Sequence, residues 1–183
     1  MKVKLQHVPH IAQKVAIELN KSGIVTMTKG LDPVADEARK ILEASIKQEA
    51  MLEEKVHDIL DENEDAMDEN NVDDRQLFFM IKKKIAPEYD VILSYDERFS
   101  DIAHKILDEL YEEDLIHYDI EEIRIKNVIF AAMTGFIADN DAIEDAVYEK
   151  IKSYKREIIP GTDDYSILFE KLYREELLKR GMA

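Results

Sequence analysis

His10-Ile-Ala-Gln-Lys-Val-Ala-Ile-Glu-Leu19 aligns without a gap on Asp101-Ile-Ala-His-Lys-Ile-Leu-Asp-Glu-Leu110, an offset of 91 residues. The register persists outward from these two stretches. Ile24 and Val25 fall on Leu115 and Ile116, Ile46 on Ile137, Leu52 on Ile143, and Val56 on Val147. Leu60 then meets Ile151, and Leu77-Phe78 meets Leu168-Phe169. One offset held through three successive helical patterns is the mark of an internal repeat, since unrelated amphipathic helices would each need their own slide. The expected fold is therefore all-α, as two tandem three-helix modules, residues 1–91 and 92–183.

Within each module the apolar residues recur every three or four positions. Ile11, Val15 and Leu19 mark one inward stripe, which Gly23 is placed to end. Asp32 followed by Pro33 reads as an N-cap opening a long helix whose stripe is Ala38, Leu42, Ser45, Leu52, Val56 and Ile59. A third helix, about Val72 to Ala86, turns Leu77, Phe78, Ile81 and Ile85 inward and stops before Pro87. In the second module Ser94 with Glu97, and Asp119 with Glu122, have capping-box spacing, so helices start near Tyr95 and Ile120. Phe99, Ile102, Ile106 and Leu110 form its first stripe. Pro160-Gly161-Thr162 separates the last two helices, with Thr162 as the final cap.

The 183 residues include 41 Asp and Glu against 25 Lys and Arg, a formal net charge of −16. Such a field repels phosphate backbones and anionic membranes, which argues against nucleic acid and membrane as partners and for a basic protein surface. With no cysteine, disulfides, thiolate metal sites and a Cys nucleophile are excluded, and a cytoplasmic setting fits. The N-terminal stretch intersperses Lys2, Lys4, His7, His10 and Lys14 among apolar residues and lacks a signal peptide's apolar run. The longest nearly apolar stretch, Val128-Ile-Phe-Ala-Ala-Met-Thr-Gly-Phe-Ile-Ala138, falls well short of the roughly 20 residues of a membrane span. It is apolar almost all round, which means burial on more than one side. Val128, Ile129, Met133, Phe136 and Ile137 thus form an apolar seam, either sandwiched between the modules or used in a homo-oligomer or partner contact.

Motifs with chemistry are few. Asp61-Glu-Asn63-Glu-Asp65 starts like an EF-hand loop, but Ala66 stands where the turn needs Gly and Val72 where a bidentate Glu should close the site. A solvated acidic helix end is the plainer reading. Glu54-x-x-His57 and Asp101-x-x-His104 have the spacing of carboxylate-bridged metal bundles, yet His57 corresponds to Tyr148 and His104 to Gln13, so the repeat supplies no symmetric ligand set. His7 and His10, at the start of the first helix, could serve a metal or a proton switch but lack a third ligand. No phosphate-binding Gly-rich loop, serine elbow or zincin histidine pair occurs. No metal, cofactor or catalytic residue is therefore nominated. From Glu49 to Asp74 the chain carries twelve carboxylates with Lys55 as the one cation among them. Within that run Glu53, Asp58, Asp61, Glu62 and Asp65 are the candidate partner-binding residues.

Lys155-Arg-Glu-Ile-Ile-Pro-Gly-Thr, Tyr165-Ser-Ile-Leu-Phe and Tyr173-Arg-Glu-Glu-Leu-Leu-Lys-Arg-Gly181 resemble the closing pattern of an uncharacterised bacterial family, domain of unknown function 507. Ile102-Ala103 fits the family's first helix, and the first half keeps the same helix-one pattern, so the family unit is expected in two tandem copies. In the first half, Ala66 to Asp73 replaces the Pro-Gly turn with an acidic stretch. The resemblance implies a helical fold in an intracellular bacterial setting and carries no activity. The expected function is an acidic helical adaptor or protein-interaction module without catalysis. The alternative is a cation-binding or enzymatic helical protein that gathers carboxylates from several helices.

Overall fold

The computed structural model describes residues 3–63, 74–154 and 159–180. Six α-helices occur among them: α1 Val8–Ser22, α2 Leu31–Asp61, α3 Asp74–Ile85, α4 Tyr95–Glu112, α5 Glu122–Lys152 and α6 Asp163–Lys179. The expected helix boundaries at Val72, and the 155–158 part of the C-terminal motif, lie outside the described residues.

The stop and start signals held at some ends and moved at others. Gly23 ends α1 in the left-handed region at φ 66°, where a residue without Cβ is at no disadvantage. The Thr162 hydroxyl accepts from the Tyr165 N–H at 3.3 Å and caps α6. Asp32 is not the N-cap of α2, because Gly30, at φ 86°, makes the turn into the helix and α2 opens at Leu31. Asp32 and Pro33 then occupy the first turn, where a carboxylate suits the helix dipole and a missing N–H leaves no bond unmade. Asp119 likewise does not cap α5. It still belongs to the link that follows the second strand, and α5 begins at Glu122 after Glu121. Ser94 does occupy the N-cap of α4, but its side chain makes no capping bond.

The all-helical expectation needs one addition. Thr26–Met27 (β1) and Ile116–His117 (β2) pair antiparallel, Thr26 opposite His117 and Met27 opposite Ile116. The Thr28 N–H extends the ladder to the Leu115 carbonyl at 3.1 Å. Two-residue strands have no periodicity to read, so pattern analysis passes over them.

α1 packs on α2 and α5, α4 packs on α5 and α2, and α3 and α6 lie on α2 and α5 respectively. The main core follows from this interlacing. Ile11, Val15 and Leu19 of α1 join Ala38 and Leu42 of α2, Phe99, Ile102, Ile106 and Leu110 of α4, and Ile129, Met133 and Phe136 of α5 in one buried cluster. A smaller cluster, Leu52, Val56, Ala86 and Val91, closes the far end of α2. The main cluster draws on both sides of the 91/92 boundary, so the first helix of each half packs on the other half's long helix as well as on its own.

Candidate functional site

Two polar clusters, the first half-buried and the second more deeply buried, sit where the halves meet. In the first, the Arg98 guanidinium of α4 spends its fork on α2: Nε donates to Ser45 Oγ at 3.1 Å, Nη2 to the Ser45 carbonyl at 2.8 Å and Nη1 to Glu49 at 2.5 Å. Lys82 of α3 donates to Glu49 at 3.2 Å and to Glu53 at 2.8 Å. Burial works to raise the Glu49 pKa, but the hydrogen bonds and charges of Arg98 and Lys82 outweigh it and hold the carboxyl below its usual range. These alternating charges tie α2, α3 and α4 together.

The second cluster lies between the start of α1, α5 and α6. The Tyr173 hydroxyl donates to Asn140 Oδ1, and Asn140 Nδ2 donates to Glu144 at 3.3 Å. His7 is 3% exposed, a residue type that seldom goes so deep without partners. The backbone N–H of Lys4 donates to its Nδ1 at 3.4 Å, and its Nε2 faces Glu144 at 3.5 Å. Burial lowers the His7 pKa, against the opposing pull of Glu144, and burial followed by the charge of Arg174 lowers that of His10. Both shifts favour the neutral ring. Burial, with the Glu144 charge behind it, pushes the Tyr173 phenol up to about 12.

Beside this cluster opens a cleft of about 420 Å³, within the usual size of small-molecule sites. Phe169 forms its aromatic centre, 5.5 Å from Tyr148, 6.1 Å from Tyr165 and 6.0 Å from Tyr173 between ring centroids. Glu144 and Glu170 add carboxylates, and Lys4 and His10 complete the wall.

The residues singled out in the sequence are distributed unevenly. Glu53 belongs to the Lys82 pair and not to an open face, whereas Asp58, Asp61 and Glu62 are exposed at the C-terminal end of α2. Asp65, and with it most of the EF-hand-like run, lies outside the described residues. Ile129, Met133, Phe136 and Ile137 are buried inside the protomer and Val128 is partly so. α5 is covered by α1, α4 and α6, so the seam residues other than Val128 lie inside the protomer. His57 is exposed against Phe78 at 5.1 Å, His104 is exposed, and Asp101 pairs with Lys105 at 2.8 Å. Among the described residues no three His, Asp or Glu side chains converge as a metal ion would need.

Sequence reasoning missed Arg98, Asn140, Glu144, Tyr148, Phe169 and Tyr173 as a set. A signal was present. Arg98 stands 91 residues after His7, Asn140 after Glu49, Glu144 after Glu53 and Tyr173 after Lys82. Glu53 and Glu144 match, but the other pairs differ in chemistry, so a search for similar residues scores them as noise.

The fold and its polar clusters define a mostly helical protein with polar contacts at the junction of its helices. The chain belongs to the family described as "Protein of unknown function (DUF507)", which matches residues 1–182 as one domain. The family unit is thus the whole chain, which corrects the expectation of a copy in each half, and the shared core gives the physical reason. No curated protein matches the chain. No helix among the described residues is long and apolar enough to cross a membrane.

Proposed function

We propose that the protein is a non-catalytic interaction module whose acidic α2 end receives a basic protein surface. The observation that carries this reading is the C-terminal turn of α2. Asp58, Asp61 and Glu62 stand at the negative end of the helix dipole, no basic residue shares the last turn, and none of the three is ion-paired among the described residues. Carboxylates there are unfavourable by about 0.3 to 1 kcal/mol each, a penalty that a cationic partner would relieve. The corresponding end of α5 carries Lys150 and Lys152, as a helix left to its own stability would.

The duplication of a helical module over 1–91 and 92–183, within one family domain, is part of the same proposal. It is supported by α2 and α5, both 31 residues long and beginning and ending 91 residues apart. The two polar clusters support it further: Lys82 to Glu49 answers Tyr173 to Asn140, and Arg98 and His7, 91 residues apart, each reach the long helix of the other half, at Glu49 and at Glu144. In this reading the halves keep the core in common and differ at their surfaces, where only the first presents an acidic helix end.

The test is affinity capture from the native cell extract, followed by association kinetics of the captured protein at low and physiological salt. Asp58→Asn, Asp61→Asn and Glu62→Gln together should slow association at low salt and flatten its salt dependence. Unchanged rates at both salt concentrations reduce the α2 end to a solvated helix face.

A further inference from the structure

The geometry points to an alkylammonium-binding site in the cleft between α1, α5 and α6, where Glu144 supplies the charge and Phe169, Tyr148 and Tyr173 supply the aromatic wall. Aromatic faces attract cations through the ring quadrupole, and a carboxylate at the same place adds a charge-assisted hydrogen bond. Glu144 has neither a Lys nor an Arg within ion-pair distance among the described residues; it meets Asn140 and the His7 ring. Its side chain is 20% exposed, so it is half-withdrawn from water without a cation to balance it. Among the described residues that line the cleft, Lys4 is the permanent cation against the carboxylates Glu144 and Glu170, and the Arg174 charge reaches the cleft at His10.

The other half carries what this cleft lacks. Glu53, 91 residues before Glu144, holds the Lys82 ammonium at 2.8 Å. Phe78 and His57, the counterparts of Phe169 and Tyr148, touch in the same way at 5.1 Å. There the chain provides its own alkylammonium. In the second half Tyr173 replaces Lys82, its hydroxyl satisfies Asn140, and the bond that Lys82 makes to Glu53 has no equivalent on Glu144. This comparison rests on the duplication proposed above, whereas the charge and aromatic lining of the cleft stand without it. The site is separate from the acidic end of α2.

The ammonium could come from a free polyamine or from a lysine side chain of a partner, and the probes distinguish them. Spermidine and Nα-acetyl-lysine methylamide are titrated separately into isotopically labelled full-length protein, with Nα-acetyl-norleucine methylamide as the uncharged control, and amide shifts are followed at Tyr148, Ser166 and Phe169. At least one amine should shift these positions saturably while the control does not. Saturation by spermidine alone identifies a free polyamine, and saturation by the lysine amide identifies a protein side chain. Glu144→Gln should weaken binding roughly 10-fold and Phe169→Leu roughly 2- to 30-fold, with circular dichroism verifying that each variant is folded. The triple variant of Asp58, Asp61 and Glu62 should bind the same probe unchanged, so this site and the α2 end stand or fall separately. The inference is overturned by no saturable shift below about 10 mM amine, by equal binding of the uncharged control, or by cleft shifts that persist in folded Glu144→Gln and Phe169→Leu proteins.

Discussion

Replacing Phe136 by Ala tests how the two halves are held together. The side chain is fully buried on α5, in the cluster that α1, α2 and α4 share, and its ring lies nearly parallel to His10 at a centroid distance of 6.3 Å. An aromatic side chain buries roughly 150 to 250 Å², worth about 4 to 6 kcal/mol at 25 cal/mol per Å², and measured Phe to Ala losses run at about 3 to 5 kcal/mol after partial collapse of the cavity. For a chain of this length each kcal/mol moves Tm by about 2 to 4 °C, so a drop of roughly 10 °C is expected. Phe136→Leu, which keeps most of the volume, should cost less than about 1.5 kcal/mol. Urea unfolding followed by far-ultraviolet circular dichroism gives both values.

The same variant has a second readout at His10. Burial is the main cause of the lowered His10 pKa, and a cavity beside its ring admits water or relaxed packing. The His10 pKa should therefore rise toward the usual value of about 6.5 in Phe136→Ala. A loss below about 1 kcal/mol, with His10 unmoved, would refute the view that α5 is clamped between the halves at this point.

Arg98→Ala should destabilise the fold by about 2 to 4 kcal/mol in the same urea assay, because it strips Glu49 of its strongest partner, and Arg98→Lys should recover little, since one ammonium cannot reach both Ser45 and Glu49. Acidification should destabilise the protein in two stages. His7 and His10 have lowered pKa values, so the unfolded chain takes up their protons first and stability falls as pH drops below about 6.5, by at most about 1.4 kcal/mol per pH unit for each ring. The Glu49 pKa is also lowered, and its contribution is lost further down, from the ordinary carboxyl range through its own lower pKa. Thermal melts from pH 8 to 4 should show the upper stage disappear in a His7→Gln/His10→Gln variant. Thr162→Ala should cost about 1 kcal/mol through the lost α6 cap, measured by thermal unfolding.

How far the fold could be read from the chain depends on the kind of signal each element carries. Ile11, Val15 and Leu19, or Phe99, Ile102 and Ile106, repeat at the helical period because burial imposes it, and every one of them is buried. Helix starts were less legible. Asp32 and Asp119 have the right chemistry for an N-cap, but the strand pairing between Met27 and Ile116 sets where the preceding turns fall, and that contact joins residues far apart in the chain. The apolar run on α5 announced burial without saying against what. Two readings were open for Phe136, and only the packing of α1 and α4 on α5 selects the internal one.

The candidate sites were less legible still, for a physical reason. Polar clusters at a junction are assembled from one side chain per helix, so His7, Asn140, Glu144 and Tyr173 leave no local spacing for a motif search to find. Glu53 illustrates the converse, as the charge run around it reads as one acidic face while the fold turns this residue aside to Lys82. Among the described residues of the run, Asp58, Asp61 and Glu62 stay exposed at the end of α2. That location also explains why the two halves diverged as they did in the duplicated reading. Core positions must fit a shared interior and stay apolar, but a buried polar position only has to satisfy its partners. An Arg98, Glu49 and Lys82 set and a His7, Asn140 and Tyr173 set both do so. Under the proposed duplication Tyr173 stands where Lys82 does in the other half, and Glu144 is left without the ammonium that Glu53 holds.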